Sequence, residues 1–159
     1  MRQPADLVRA FRAQGLKVTP QRQLLFRLLS GNETHPCAER LYAAADAEMP
    51  GISLRTVYQT LNDLVAMGEL QMLDLGTGSA RFDPKVDEHH HLVCTNCSEV
   101  RDVYVTTPTE LSPDDSFGFS INKTQVVFRG LCAHCTARAE PSLSTSSTPI
   151  IHSHHPGPE

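Results

Sequence analysis

Apolar positions in the first seventy residues recur at helical spacing in four blocks. Over residues 4–14, Leu7, Val8 and Phe11 share one face, and Gly15 closes the block. Thr19 followed by Pro20 is a cap with proline at the first helical position, and the helix it opens turns Leu24, Leu25, Leu28 and Leu29 inward before Ser30-Gly31-Asn32 ends it. A third helix is predicted from Pro36 through Ala47, packed through Leu41 and its alanines and broken at Met49-Pro50-Gly51. Ser53 caps a fourth, whose inward positions are Val57, Leu61, Leu64 and Val65. The pattern then changes: residues 70–75 and 80–83 read as two strands around the turn Gly76-Thr77-Gly78-Ser79. Helices followed by a hairpin are the element order of a winged helix, with the third and fourth helices forming a helix-turn-helix and the fourth serving as recognition helix.

Past Pro84 the pattern favours strands, over residues 91–93, 99–105 and 125–131, with a short helix over residues 106–115 that Pro108 and Pro113 interrupt. From about Ala139 the chain is rich in Ser, Thr and Pro and carries His152, His154 and His155, which reads as a disordered tail. The expectation is an α+β protein: a winged-helix domain over residues 1–83, a hinge over 84–88, a small α/β domain over 89–138 and the tail over 139–159.

Charge sharpens this division. The net charge of −4 argues weakly against nucleic acid, but residues 1–27 hold six basic residues against Asp6 alone, whereas residues 84–159 hold five basic and nine acidic. A basic front and an acidic rear suit a DNA-contacting unit followed by something else. No stretch approaches the ~20 apolar residues of a membrane span, and residues 1–16 lack the apolar core of a secretory signal. The expectation is a cytoplasmic protein without membrane contact, in which cysteines stay reduced and favour metal over disulfides.

Two C-x-x-C knuckles, Cys94-Thr-Asn-Cys97 and Cys132-Ala-His-Cys135, supply four thiolates, the set of a closed tetrahedral structural zinc site, one per chain. The fifth cysteine, Cys37, is left over and reads as a small buried helix residue. A second donor cluster, Asp87-Glu88-His89-His90-His91, has Asp83 before it and Asp102 after it. On a strand His89 and His91 share a face and His90 turns away. Nitrogen and oxygen donors suit zinc, iron, nickel or manganese according to geometry. On the fourth helix Arg55 and Tyr58 lie early enough to meet base edges, while Lys17 and Arg22 suit phosphates.

Six segments in order resemble the ferric uptake regulator family: Lys17-Val-Thr-Pro-Gln-Arg22, His35-Pro36, Ser53-Leu-Arg-Thr-Val-Tyr58, Arg81-Phe-Asp83, His89-His-His-Leu-Val-Cys-Thr-Asn-Cys97 and Gly130-Leu-Cys-Ala-His-Cys135. The resemblance implies a homodimeric, metal-dependent repressor that binds double-stranded operator DNA. It implies a regulatory Fe(II) or Mn(II) held by His35, Asp83, His89, His91 and Asp102. Asp83, where iron-sensing members commonly carry glutamate, resembles the peroxide-sensing branch, in which iron reacts with peroxide and a ligand histidine is oxidised. An iron or manganese uptake regulator without peroxide chemistry is the alternative. Two departures stand out: Thr124, beside Lys123, occupies a place where a second regulatory site often uses histidine, and the expected dimerisation helix is short. From another class, a thiol-redox or zinc-dependent enzyme is disfavoured, since no βαβ pattern surrounds the knuckles and no H-E-x-x-H occurs.

Overall fold

The computed structural model describes residues 1–105, 113, 115–121 and 124–139. The expected helix over residues 106–115 lies almost wholly outside the described residues, as does the expected tail with its three histidines.

Four helices open the fold: α1 (Pro4–Ala13), α2 (Pro20–Leu29), α3 (Ala38–Glu48) and α4 (Leu54–Ala66). The caps act as their side chains dictate. Thr19 Oγ1 accepts from the Arg22 N–H at 3.3 Å, and Ser53 Oγ accepts from the Thr56 N–H at 3.1 Å. Leu7, Phe11, Leu24, Leu25, Phe26, Leu29, Leu41, Val57, Leu61 and Leu64 close one core with Ile52, Leu70 and Phe82. Burial of each large apolar side chain contributes about 1.5–3 kcal/mol. Helix α3 begins two residues later than its proline predicts, because the carbonyl of Pro36 accepts the Phe82 N–H at 3.0 Å. That bond ties the loop before α3 to the hairpin, and Cys37 becomes the N-terminal flanking residue of α3, half-buried.

The hairpin pairs β1 (Gln71–Leu73) with β2 (Arg81–Asp83), Met72 opposite Phe82. A second sheet has the order β4-β3-β5, built from β3 (His90–Cys94), β4 (Val100–Val103) and β5 (Val127–Gly130). Strand β3 runs antiparallel to β4 and parallel to β5. Helix α5 (Ala133–Ala139), which the sequence pattern does not signal, carries Cys135 on its first turn. The described helices include none long and apolar enough to cross a membrane.

The hairpin belongs to both halves. Its first arm continues past β1 so that Leu73 and Leu75 pack on Val93 and Val100, with Val127 at the edge. Arg81 adds polar ties: its guanidinium donates to the Ser98 carbonyl at 3.2 Å, to the His35 carbonyl at 3.5 Å and to Thr77 Oγ1 at 3.1 Å. Residues 84–88, expected as a hinge, form no helix or strand; Pro84 is buried, and the Lys85 carbonyl accepts from Gln71 Nε2 at 2.8 Å. Among the described residues, the buried apolar seam between helices and second sheet is therefore a few aliphatic side chains, with Arg81 beside it, and it is sensitive to anything else that bridges it.

Candidate metal centres

The four knuckle cysteines converge, each sulfur within 4.8 Å of the others. The first knuckle turns between β3 and β4, aided by Ser98 at φ +59° and by the Ser98 N–H bonded to the Cys94 carbonyl at 3.0 Å. The second lies between β5 and α5, docked by the Thr95 N–H donating to the Gly130 carbonyl at 2.8 Å. Cys94 Sγ accepts the Cys132 N–H at 3.4 Å, and Cys135 Sγ accepts from Asn96 Nδ2 at 3.3 Å. N–H groups from Cys97 and Cys132 bring the Cys94 thiol down to about 6. Cys97 goes the other way: a Glu99 N–H pulls it down, but the Cys94 sulfur, burial and the Cys135 sulfur together outweigh that pull. Four thiols this close resist ionising together, and a divalent cation removes the conflict. Four sulfurs with no other donor fit a closed structural zinc site.

The second cluster draws its donors from distant parts of the chain: His35 from the loop before α3, Asp83 from the end of β2, His89 just before β3, His91 within β3 and Asp102 on β4. The strand register puts His91 opposite Asp102, and alternation puts His89 on the same side. His35 adopts φ +48°, a conformation that costs a non-glycine residue about 1–2 kcal/mol; it is what carries the imidazole into the site. His35, Asp83 and His91 are each only 1% exposed.

The contacts are short. His35 Nε2 lies 2.7 Å from Asp102 Oδ1 and 3.7 Å from Asp83 Oδ2; His89 Nε2 lies 2.8 Å from Asp83 Oδ2 and 3.4 Å from Asp102 Oδ1. His89 Nε2 and His91 Nε2 are 3.1 Å apart. Yet His35 Nε2, Asp83 Oδ2 and Asp102 Oδ1 are buried with no hydrogen-bond partner, although all five ligand atoms lie within 4.8 Å of one another. Orphaned buried acceptors are costly. Donors ~2.1 Å from a common ion stand about 3 Å apart at right angles and about 4 Å apart across it, which is the spread observed. Three neutral imidazoles and two carboxylates balance a divalent cation, and the set fits Fe(II) or Mn(II).

The outer atoms of these ligands are held in turn. His35 Nδ1 donates to the Glu33 carbonyl at 3.2 Å and His89 Nδ1 to the Asp87 carbonyl at 2.8 Å, which turns both Nε2 atoms inward and makes Nε2 the ligating nitrogen of the neutral ring. Gln125 Nε2 lies 3.0 Å from His91 Nδ1; with the amide turned over, its oxygen would take that place and give His91 the same tautomer. Asp83 Oδ1 accepts the Lys85 N–H at 2.8 Å, and Asp102 Oδ2 accepts from Lys85 Nζ at 2.9 Å. Burial alone would lower the His35 pKa, but Asp83 and Asp102 outweigh it and hold it raised. Burial alone would raise Asp83; the His35 and His91 imidazoles and the Lys85 N–H hold it well below the usual carboxylate range. His90 faces the opposite side, where its Nδ1 accepts the Val126 N–H at 3.4 Å. Thr124, exposed, and Cys37 stand outside both clusters, and among the described residues no third donor cluster forms.

The residues expected to meet DNA divide. Lys17, Arg55 and Tyr58 are exposed, the last two on one end of α4, with the Tyr58 hydroxyl donating to Glu39 at 2.6 Å across to α3. Arg22 corrects the expectation of a phosphate contact. Its guanidinium is buried over the Phe11 ring, bonded to Asp63 at 2.6 Å and to the Lys17 carbonyl at 3.2 Å, so it braces α4 against α2. The sequence pattern does not reveal this, because the i-to-partner separation of 41 residues has no local signature. Lys85, Gln125 and Arg81 are likewise visible only once the chain is folded.

Residues 13–128 match the ferric uptake regulator family. The peroxide-responsive repressor PerR of Staphylococcus saprophyticus is 30% identical over 132 residues, covering 82% of this chain and 89% of that protein. Among solved structures, the Helicobacter pylori ferric uptake regulator Fur has a TM-score of 0.66 at 18% identity, over 83% of this chain and 90% of that one. The Campylobacter jejuni peroxide stress regulator has a TM-score of 0.56 at 26% identity, over 85% of this chain and all of that one. Both donor clusters lie in a chain most of whose length is matched in this way, and the chain belongs to the ferric uptake regulator family.

Proposed function

We propose that this protein is a metal-dependent, sequence-specific repressor that senses peroxide at the centre formed by His35, Asp83, His89, His91 and Asp102. The observation that carries the proposal is the buried set of unpartnered donors spanning the helices, the hairpin and the second sheet. His35 comes from the helical half and three ligands from the sheet half, so an occupied centre fixes the angle between them. With the angle fixed, α4 presents Arg55 and Tyr58 to the major groove and Lys17 to the phosphate backbone. Tyr58 exchanges Glu39 for a base edge or thymine methyl in doing so.

Sequence-specific repressors of this build work as two-fold dimers whose recognition helices meet successive major grooves. Exposed Phe117, Phe119, Tyr104, Phe128 and Leu131, all on the sheet half, are the apolar surface available for a second copy. The bounds follow the sequence reading: DNA binding over residues 1–83, a connector over 84–88, metal binding and pairing over 89–138. The four-cysteine zinc holds the sheet half together and takes no part in sensing, since no coordination position is open.

With iron bound, the N/O centre supplies one-electron chemistry towards hydrogen peroxide. By resemblance to the peroxide-sensing branch, His35 or His89 is the ligand that would be oxidised; both are buried in the centre. Oxidation of either removes a donor and frees the two halves. The repressor relative at 30% identity supports this over a plain iron or manganese sensor. The test uses operator DNA selected from a random pool. The Fe(II) form loses DNA binding after low peroxide, with mass added to a peptide carrying His35 or His89, and the Mn(II) form resists. Intact histidines with undiminished binding would leave the simple metal sensor.

A further inference from the structure

Lys85 is placed to control both carboxylates of the N/O centre. It lies two residues past Asp83, in the connector that leaves β2, and its side chain reaches across to β4. Its backbone N–H occupies the outer oxygen of Asp83 at 2.8 Å, and its ammonium occupies the outer oxygen of Asp102 at 2.9 Å. The inner oxygens, Asp83 Oδ2 and Asp102 Oδ1, are the ones left without partners. The ammonium also sits 5.3 Å from the centre of the Tyr104 ring, whose hydroxyl donates to Asp87 at 3.0 Å, while the Asp87 carbonyl accepts from His89 Nδ1 at 2.8 Å. A run of contacts thus passes from Asp102 through Lys85, Tyr104 and Asp87 to His89. A pocket of about 330 Å³ lined by Asp83, Lys85 and Asp102 opens at this side of the centre.

We propose that the Lys85 side chain is a positioning residue of the metal centre, holding Asp102 so that it offers one oxygen to the ion and keeps the other turned away. The inference rests on the five-residue centre proposed above. A carboxylate free to rotate offers an ion either one oxygen or two; the bond from Lys85 removes the second choice before any ion arrives. Two effects of the ammonium oppose each other. Its charge repels a cation, and its hydrogen bond orients a ligand. The side chain is 37% exposed and already paired with Asp102, so solvent and the carboxylate screen the repulsion, while Asp102, at 13%, is buried enough for orientation to count. Orientation therefore dominates, and losing it weakens binding. The ordinary alternative, a surface ion pair of little consequence, predicts no change in the centre.

The experiment uses full-length, zinc-replete protein with the N/O centre emptied, titrated with Mn(II) while the electron paramagnetic resonance signal of free aqueous Mn(II) is followed. Lys85→Met keeps the length of the side chain and removes the bond; about tenfold weaker Mn(II) binding is expected, at the lower end for outer-contact changes, together with an altered spectrum of bound Mn(II). Lys85→Arg, which can still donate to Asp102, should restore affinity to within about threefold and return the spectrum towards the parent. Zinc content and far-ultraviolet circular dichroism check that each variant is folded. His91→Ala separates the two claims. If it loses Mn(II) while Lys85→Met binds as tightly as the parent, or more tightly, the positioning role is overturned and the centre stands. If His91→Ala also binds normally, the centre itself is wrong.

Discussion

The two metal centres of this chain are built on opposite plans. The sulfur centre takes its ligands from two local knuckles within the sheet half, and Cys97 is exposed. The nitrogen and oxygen centre gathers five residues spread from position 35 to position 102, across three structural elements and two loops, and buries all but Asp102, which is half-buried. A locally assembled, closed site can hold only what is next to it, so it stabilises a domain. A site assembled from remote parts holds those parts in relation to each other, so its occupancy is a message. The small aliphatic seam of Leu73, Leu75, Val93 and Val100 makes that message audible, because an ion bridging it adds to a contact of only a few side chains.

The largest effect expected from breaking this contrast is at the sulfur centre. Cys97→Ser should lose the tightly held zinc and unfold the sheet half, as structural zinc contributes roughly 10–16 kcal/mol of apparent binding free energy to folding. Metal analysis and circular dichroism would show it; a folded variant with full zinc would contradict the structural role. Next comes the other centre. Asp102→Ala should weaken Mn(II) or Fe(II) binding by more than the roughly 100-fold upper range of outer-contact changes, while zinc content and helix content stay unchanged. Parallel loss of zinc would mean that the two centres are not independent.

Legibility in the sequence follows the same contrast. The sulfur knuckles, the caps at Thr19 and Ser53 and the four helical stripes are local patterns, readable from spacing alone. The remote ligand His35 is a lone histidine at a helix start that only the family resemblance singled out; Asp83 and Asp102 flank the histidine cluster in sequence, but only the resemblance made them ligands. Their outer partners Lys85 and Gln125, the inward turn of Arg22 and the bridging role of Arg81 depend on tertiary approach and have no spacing to read. Helix α5 escaped because a seven-residue helix is too short to show a period.

The seam itself gives the third test. Leu75→Ala should cost about 2–5 kcal/mol, the range for a buried leucine, measured by chemical denaturation of zinc-replete protein. It should also weaken Mn(II) binding, although Leu75 is not itself a ligand, because the seam and the centre hold the same two halves. Unchanged Mn(II) affinity would separate the centre from the docking of the halves.

The smallest effect is the pH dependence. In protein lacking the regulatory ion, the raised His35 pKa marks stability that is full below its ordinary value near about 6.5 and is lost as pH rises through the raised value. The depressed Asp83 pKa marks stability present above about 3.9 and lost as pH falls through the lowered value. Denaturation midpoints should therefore be higher at about pH 5.5 than at about pH 8. Added Mn(II) should reverse the trend, since the ion displaces that proton. A profile that is flat with and without the ion would remove His35 from the centre.

The most direct test of the division into two centres is X-ray absorption at both metal edges on one sample carrying zinc and Mn(II). The zinc edge should report four sulfurs at about 2.3 Å, and the manganese edge only nitrogen and oxygen neighbours. Sulfur around manganese, or nitrogen and oxygen around zinc, would contradict it.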